Sequence, residues 1–311
     1  MEKIIVKQVD AFTDTPLLGN PAGVVIDANG MNEELMQAIA REVNVSETAF
    51  VLDSDVADFK VRFFTPSGEV DLCGHATIGT FFALVEVGRI NLDSDCVTVH
   101  QETKAGILPV DIYSADGRLT KIIMTQASPR FRDFVSHEDE VAGILGIPGP
   151  QIRGTSFPIE LAYTGLWHLI VPVQGLKYVQ EMKPDREKLL DFSHEHAFDT
   201  VHVFTLETVE SRSSVHTRDF APVYADAVVE DPATGTASGA LGAYLVRNGI
   251  MEPEDNLLAL VSEQGYEIGR DSRIDIEIVL ESGNIDKVKV GGKAVTSLDG
   301  TMYLEPQLWS Q

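Results

Sequence analysis

Two stretches of this chain, Arg62–Gly88 and Arg218–Gly249, share an ordered set of residues, and this constrains the fold more than any other feature. The first opens on Arg62-Phe63-Phe64-Thr65-Pro66 and the second on Arg218-Asp219-Phe220-Ala221-Pro222. At an offset of 161, Gly74 falls on Gly235, Ala76 on Ala237, Leu84 on Leu245, Val85 on Val246 and Gly88 on Gly249. The same offset sets Cys73 against Thr234 and His75 against Thr236. Each stretch reads as a strand, a turn, and a helix that begins in small residues and becomes apolar. Such an internal duplication predicts two similar domains, each built on one buried helix.

A chain of 311 residues is long enough for two domains with substantial cores. Its 24 basic side chains stand against 48 acidic ones, a formal net charge of −24. That field repels phosphates, so neither nucleic acid nor an anionic membrane surface is expected as a partner. A small substrate stays compatible, because a few local donors reverse the field inside one pocket. Cys73 and Cys96 are the only cysteines, too few for a disulfide framework. The opening MEKIIVKQVDAF lacks the apolar core of a signal peptide, and no apolar run reaches about 18 residues. The expectation is a cytoplasmic protein without a membrane span.

In the first half, Lys3–Phe12 alternates as a strand. Thr13–Gly23 carries two prolines and two glycines and reads as a loop, followed by a short strand at Val24–Ile26. Asn32 is a candidate N-cap for a helix with Leu35, Ile39 and Val43 on one face, and Asn44 is a candidate stop. Glu47 then stands at the mouth of an apolar strand. A carboxylate there is either a solvated loop group or a partly desolvated acid/base. After a strand at Asp58–Phe64 and a turn at Pro66–Gly68 comes the helix behind Cys73-Gly74-His75, apolar nearly all round. Its N-terminal N–H groups are a ready anion site. Strands follow at Val97–Val99, Ile107–Ile112 and Lys121–Thr125.

Gln126–Asp133 reads as a crossing segment between domains. A short helix is expected at Glu138–Leu145, an apolar strand ending near Val171, a helix at Asp185–Leu190 and a strand at Thr200–Leu206. Asp226–Thr236 leads into the second buried helix, stopped by Asn248-Gly249. Asp231 at its start is either a charge partner of the helix dipole or a functional acid. Strands are expected at Ser262–Ile268, Arg273–Leu280, Val288–Val295 and Thr301–Leu304. Gly291-Gly292 suggests a close backbone approach by a ligand or the other domain.

If the two domains face each other, two helix N-termini converge on one cleft, with Glu47, Cys73, His75 and Asp231 nearby. One base, one acid and fixed donors for a developing charge suit proton abstraction beside a carbonyl or carboxyl group. His194-Glu195-His196 with Asp191 offers metal-ligand types but lacks an i, i+4 histidine pair and reads as a polar loop, so no metal is expected. Neither a Walker loop nor a GxGxxG after a strand is present, and no cofactor is indicated. Trp167 and Trp309 read as packing residues.

At Ser46-Glu47-Thr48, Asp71-Leu72-Cys73-Gly74-His75-Ala76-Thr77 and Glu230-Asp231-Pro232-Ala233-Thr234-Gly235-Thr236-Ala237 the chain resembles the phenazine-biosynthesis isomerase (PhzF-like) family, which has the diaminopimelate-epimerase fold. Asp10-Ala11-Phe12, Gly19-Asn20-Pro21-Ala22-Gly23-Val24 and Val290-Gly291-Gly292-Lys293-Ala294 extend the match over almost the whole chain.

The resemblance implies an α+β protein of two pseudo-repeated domains, each a rolled β-sheet or barrel around a central α-helix, with the active site in the cleft between them. The boundaries it suggests are 1–118, completed by about 297–311, and 127–296. It implies cofactor-independent proton transfer on a small carboxylated substrate, and commonly a homodimer. Glu47 would be the general base, with His75 and Asp231 orienting the substrate and sharing its protons. Asn20, Gly74, Gly235 and Thr236 would bind substrate, the two glycines through backbone N–H groups. Thr236 stands where the family pattern has serine, and its added methyl group narrows the pocket. A racemase of the same fold with two opposed cysteines needs a second thiol near Thr234, where none stands. A non-catalytic binding or scaffolding protein is the remaining alternative, and it has no need of three titratable groups at one site.

Overall fold

The computed structural model describes residues 2–134, 138–221 and 229–305; Pro222, Asp226 and Trp309 of the sequence reading lie outside them. The chain divides into two compact units, one of Met1–Thr125 with Gly291–Gln311, the other of Gln126–Val290. No helix among the described residues is long and apolar enough to cross a membrane.

The first unit runs β1 (Glu2–Ala11), β2 (Asn20–Val25), α1 (Glu33–Val43), β3 (Glu47–Leu52), β4 (Phe59–Phe64), β5 (Glu69–Val70), α2 (Gly74–Glu86), β6 (Cys96–Thr103), β7 (Gly106–Ala115) and β8 (Arg118–Thr125). The second runs β9 (Arg130–Asp133), α3 (Glu138–Leu145), α4 (Pro150–Arg153), β10 (Glu160–Tyr163), β11 (Trp167–Pro172), α5 (Leu176–Glu181), α6 (Arg186–His196), β12 (Thr200–Thr205), β13 (Val215–Ala221), β14 (Val229–Asp231), α7 (Gly235–Arg247), β15 (Leu257–Gln264), β16 (Ser272–Glu281) and the greater part of β17 (Asn284–Gly292), whose last two residues belong to the first unit. The final strand, β18 (Ala294–Leu304), pairs antiparallel with β1.

In the first unit β1 pairs antiparallel with β2, β2 parallel with β3, β3 antiparallel with β4, β4 antiparallel with β5 and parallel with β6, and β6 antiparallel with β7. From β10 to β16 the second unit repeats that order: antiparallel, parallel, antiparallel, a short antiparallel strand, parallel, antiparallel. Parallel neighbours cannot be joined by a tight turn, so each parallel step encloses a crossover. In the β4-to-β6 step that crossover carries α2, and in the β13-to-β15 step it carries α7.

These two helices have 13 residues each and stand 161 positions apart at both ends. Gly88 (φ +74°) and Gly249 (φ +62°) supply the left-handed residue that stops each. Helix α2 buries His75–Phe81, Ala83 and Leu84, and packs on β1, β2, β3, β8 and β18. Helix α7 buries Ala237–Leu245 and packs on β10, β11, β15 and β16. Its small residues are needed for this approach, since a Cβ at Gly242 would lie 2.7 Å from Ile276 Cγ2. Helix α1 shows why short polar residues end helices: Asn32 Oδ1 accepts from Leu35 N at 2.9 Å, and Asn44 turns left-handed (φ 55°).

Several elements differ from their sequence-based expectation. Strand β2 starts at Asn20, inside the expected loop, with Pro21 opposite Asp10 on β1. Part of the expected crossing segment is β9, which pairs with β10 of the second unit. The expected strand Ser262–Ile268 is broken at Gly265 (φ +84°), after which Tyr266–Ile268 forms a 3-10 turn. His194, Glu195 and His196 are not in a loop. They close helix α6, which is capped by Asp185 and extends past Leu190. Residues two apart on a helix point to different faces, so this pair cannot hold one ion, and His196 packs its ring on Phe192 at 4.4 Å.

The return to the first unit begins at Gly291, ahead of the expected 297. A Cβ at Gly291 would run into the carbonyl oxygen of Ile122 and lie 2.7 Å from Ile123 Cα, so the close approach is made by backbone of the first unit itself. Gly291→Ala should therefore destabilise by about 3 kcal/mol, because neither backbone can yield cheaply. A urea midpoint within error of wild type would contradict this.

Candidate active site

Glu47 opens β3, beside Ala22 on the parallel strand β2. Asn44 stops α1 just before it, so the chain passes from helix to strand within three residues and the carboxylate sits at the strand's mouth. Cys73 is the N-cap of α2, and its side chain makes no capping hydrogen bond. Gly74 and His75 are the first residues of the helix, with N–H groups that find no partner within it. A Cβ at Gly74 would make only ordinary contact, 3.7 Å from Met124 Sδ, so packing does not demand glycine there.

The His75 ring is buried and bridges two groups. Nε2 lies 3.3 Å from Glu47 Oε2 and 3.2 Å from Ser46 Oγ, and Nδ1 lies 3.4 Å from Cys73 Sγ. Oε2 of Glu47 is shielded from solvent and has no aligned hydrogen bond among the described residues, so its approach to His75 is a close contact without hydrogen-bond geometry. Burial lowers the His75 pKa and outweighs the opposing pull of the Glu47 charge, so the ring is neutral near pH 7. Asn20 is buried at the start of β2, two residues before Ala22.

A second group forms in the other unit. Asp231 ends β14, and Thr234, the N-cap of α7, donates from Oγ1 to Asp231 Oδ2 at 2.5 Å. Gln264 fixes this turn: its Nε2 donates to Asp231 O at 2.8 Å and Thr234 Oγ1 at 3.1 Å, and its Oε1 accepts from Thr234 N at 3.3 Å. Gly235 begins α7. Thr236 O accepts from Thr164 Oγ1 at 2.8 Å, and a Cβ at Gly165 would lie 3.2 Å from the Thr236 methyl group. The structure thus brings Glu47 and His75 together with Gly74 and Cys73, and Asp231 together with Thr234 and Gly235, each group within its own unit. Gln264 was missed because it lies 33 residues beyond Asp231, on a strand with no local motif.

Two further titratable clusters are buried in the second unit. Thr200 donates to Asp219 Oδ2 at 2.9 Å and so accepts from His168 Nδ1 at 2.7 Å, while His202 Nδ1 also meets Asp219 Oδ2 at 2.9 Å. Burial pushes His168 down to about 4. His216 is held between Glu263 and Glu267, both at 2.8 Å, and these partners overcome burial to raise it to about 9. Below about pH 6.5 the unfolded chain takes up a proton at His168 that the fold refuses, so stability falls from there to about pH 4, by about 3 kcal/mol in all. His216 has the opposite sign. Its contribution is full below about pH 6.5 and lost as pH rises through 9. Urea unfolding across pH should show both limbs. His168→Gln should flatten the acid limb alone and His216→Gln the alkaline limb alone, and unchanged profiles would refute the assignments.

The family model for phenazine biosynthesis-like proteins (PhzC-PhzF) matches residues 9–300. The chain belongs to this family. A Bacillus subtilis (strain 168) relative, named as the uncharacterized isomerase YfhB, is 40% identical over 297 residues, covering 96% of this chain and 98% of its own. The trans-2,3-dihydro-3-hydroxyanthranilate isomerase of Pseudomonas aeruginosa is 33% identical over 297 residues, with 95% and 98% covered. Among solved structures, a Bacillus anthracis phenazine biosynthesis protein of the PhzF family superposes with a TM-score of 0.89 at 39% identity, covering 98% of this chain and all of that one. A hydroxyproline epimerase from Agrobacterium vitis, at 16% identity and a TM-score of 0.65 over 97% of this chain and 91% of its own, shares the fold alone. The family is one of isomerases, with a sheet-dominated fold in which helices are few.

Proposed function

We propose that this protein is a cofactor-independent isomerase that moves a proton between carbons of a small carboxylated metabolite, with Glu47 as the general acid/base. The observation that carries this reading is the environment of Glu47: a carboxylate oxygen shielded from water and without an aligned hydrogen bond among the described residues, 3.3 Å from a buried neutral imidazole. A carboxylate oxygen shielded from water and without an aligned hydrogen bond among the described residues is available to a C–H bond. Glu47 removes the proton from one carbon and returns it to another. The N–H groups of Gly74 and His75 at the start of α2 hold the anionic oxygen that develops in between. His75 Nε2, 3.3 Å from the carboxylate, exchanges that contact for one to the substrate. Asp231, Gly235 and Thr236, with Asn20, orient the substrate and its carboxyl group.

The matching ladder orders of the two units and the equal spans of α2 and α7 support descent of the two units from one duplicated ancestor. Under that reading Thr234 is the counterpart of Cys73, which disfavours a racemase with a thiol on each face of a stereocentre.

The test is proton NMR in D2O of wild type and Glu47→Gln with trans-2,3-dihydro-3-hydroxyanthranilate and a panel of small carboxylated metabolites. Loss of a C–H signal with wild type alone supports the reading. Equal exchange by both proteins removes Glu47 from the chemistry. Silence across the panel, with a ligand bound equally by both, favours a binding protein. The protein should also be a homodimer, as the family resemblance implies, and a monomer mass by size-exclusion chromatography with light scattering would contradict this.

A further inference from the structure

The contacts of His75 join three side chains that suit a metal as well as they suit proton transfer. Glu47, Cys73 and His75 each offer one ligand atom, and these atoms all lie within 4.8 Å of one another. Tetrahedral Zn2+, with bonds of about 2.0–2.3 Å, sets its ligand atoms roughly 3.3–3.6 Å apart. His75 Nε2 already stands 3.3 Å from Glu47 Oε2 and 4.0 Å from Cys73 Sγ. Side-chain rotations of roughly 1 Å close the set around one ion.

We propose that Glu47, Cys73 and His75 form a binding site for a thiophilic divalent cation, Zn2+ first among them. Two features favour it. The donor set of thiolate, imidazole and carboxylate selects Zn2+ or Co2+ over Mg2+ or Ca2+, which prefer all-oxygen sites. The Oε2 atom of Glu47 is buried without an aligned hydrogen bond among the described residues, so a cation there removes an unfavourable state. Binding exchanges the Cys73 thiol proton for the metal and releases it to solvent. The thiolate and carboxylate charges then balance the dication, and water fills the fourth position. Three protein ligands leave that fourth position open to exchange. An ion held there occupies Glu47, so under the isomerase reading it switches turnover off. Metal binding itself does not depend on that reading.

Co2+ titration of the full-length, reduced protein tests the site without a substrate. The expected result is one equivalent per chain, with a thiolate-to-cobalt charge-transfer band in the near ultraviolet and the strong visible bands of four-coordinate Co2+, all bleached by one equivalent of Zn2+. Cys96→Ser controls for the other, exposed thiol and should titrate like wild type. Cys73→Ser should lose the charge-transfer band, and Glu47→Gln and His75→Gln should each weaken binding at least 10-fold, with circular dichroism confirming that each variant is folded. Absence of the charge-transfer band, its loss in Cys96→Ser, or wild-type affinity in both Glu47→Gln and His75→Gln would overturn the proposal. Failure of the NMR test leaves these spectra unaffected, so the two readings stand or fall separately.

Discussion

Glu47→Gln is expected to lower turnover by about 10³-fold on any substrate that wild type isomerises, with ligand affinity changed only a few-fold. Glutamine keeps the length and polarity of the side chain but cannot accept a proton from carbon. Glu47→Asp keeps the base and withdraws it by one methylene, so its loss should be smaller, about 10²-fold, since catalysis is sensitive to displacement on this scale. Neither change should harm the fold. Oε2 makes no aligned hydrogen bond among the described residues, so little is broken, and removing a half-buried charge relieves desolvation. Unfolding midpoints of Glu47→Gln should stay within about 1 kcal/mol of wild type or rise. Loss of activity accompanied by loss of stability would mean that Glu47 is a structural group. Full activity in Glu47→Gln would remove it as the base.

The same contrast explains what the sequence made legible. Local signals are legible: Asn32 and Asn44 bound α1 as short polar residues do, and Gly88 and Gly249 end α2 and α7. Those features depend on neighbours in the chain. The strand register of β2 does not. Pro21 reads locally as a loop residue, yet β2 is flanked by β1 and β3, and that pairing overrides local preference. Helix α6 runs past Leu190 because Phe192 anchors its later turns in the core, while the histidines that follow carry little helix signal. Gln264 and the chain His168–Thr200–Asp219–His202 were invisible because their partners lie 17 to 33 residues away on other elements. For Glu47, the sequence places the strand mouth, but the 3.3 Å approach of His75 and the thiol on the ring's other nitrogen arise only in the fold.

Arg218 shows the structural extreme. Its Nε and Nη2 donate to Glu230 at 2.8 and 2.7 Å, and its Nη1 donates to the carbonyls of Val179 and Met182 at 2.8 and 3.0 Å. The side chain is 8% exposed and Glu230 13%. Arg218→Met leaves a buried carboxylate and two carbonyls unpaired, so the second unit should lose about 3–5 kcal/mol. Arg62 makes the corresponding fork to Glu69 in the first unit, at 2.7 Å through both nitrogens. There Lys104 also holds Glu69, at 2.5 Å, and Arg62 is 20% exposed. Arg62→Met therefore leaves its partner charge compensated and should cost only about 1–2 kcal/mol. Hydrogen exchange at the amides of α7 and α2 reads each unit separately. Arg218→Met should accelerate exchange in α7 by at least 10²-fold, and Arg62→Met should accelerate α2 far less. Equal effects would mean that burial of the fork is not what sets its worth, and a loss below about 1 kcal/mol for Arg218→Met would mean that Glu230 finds another partner or takes up a proton when its arginine is gone.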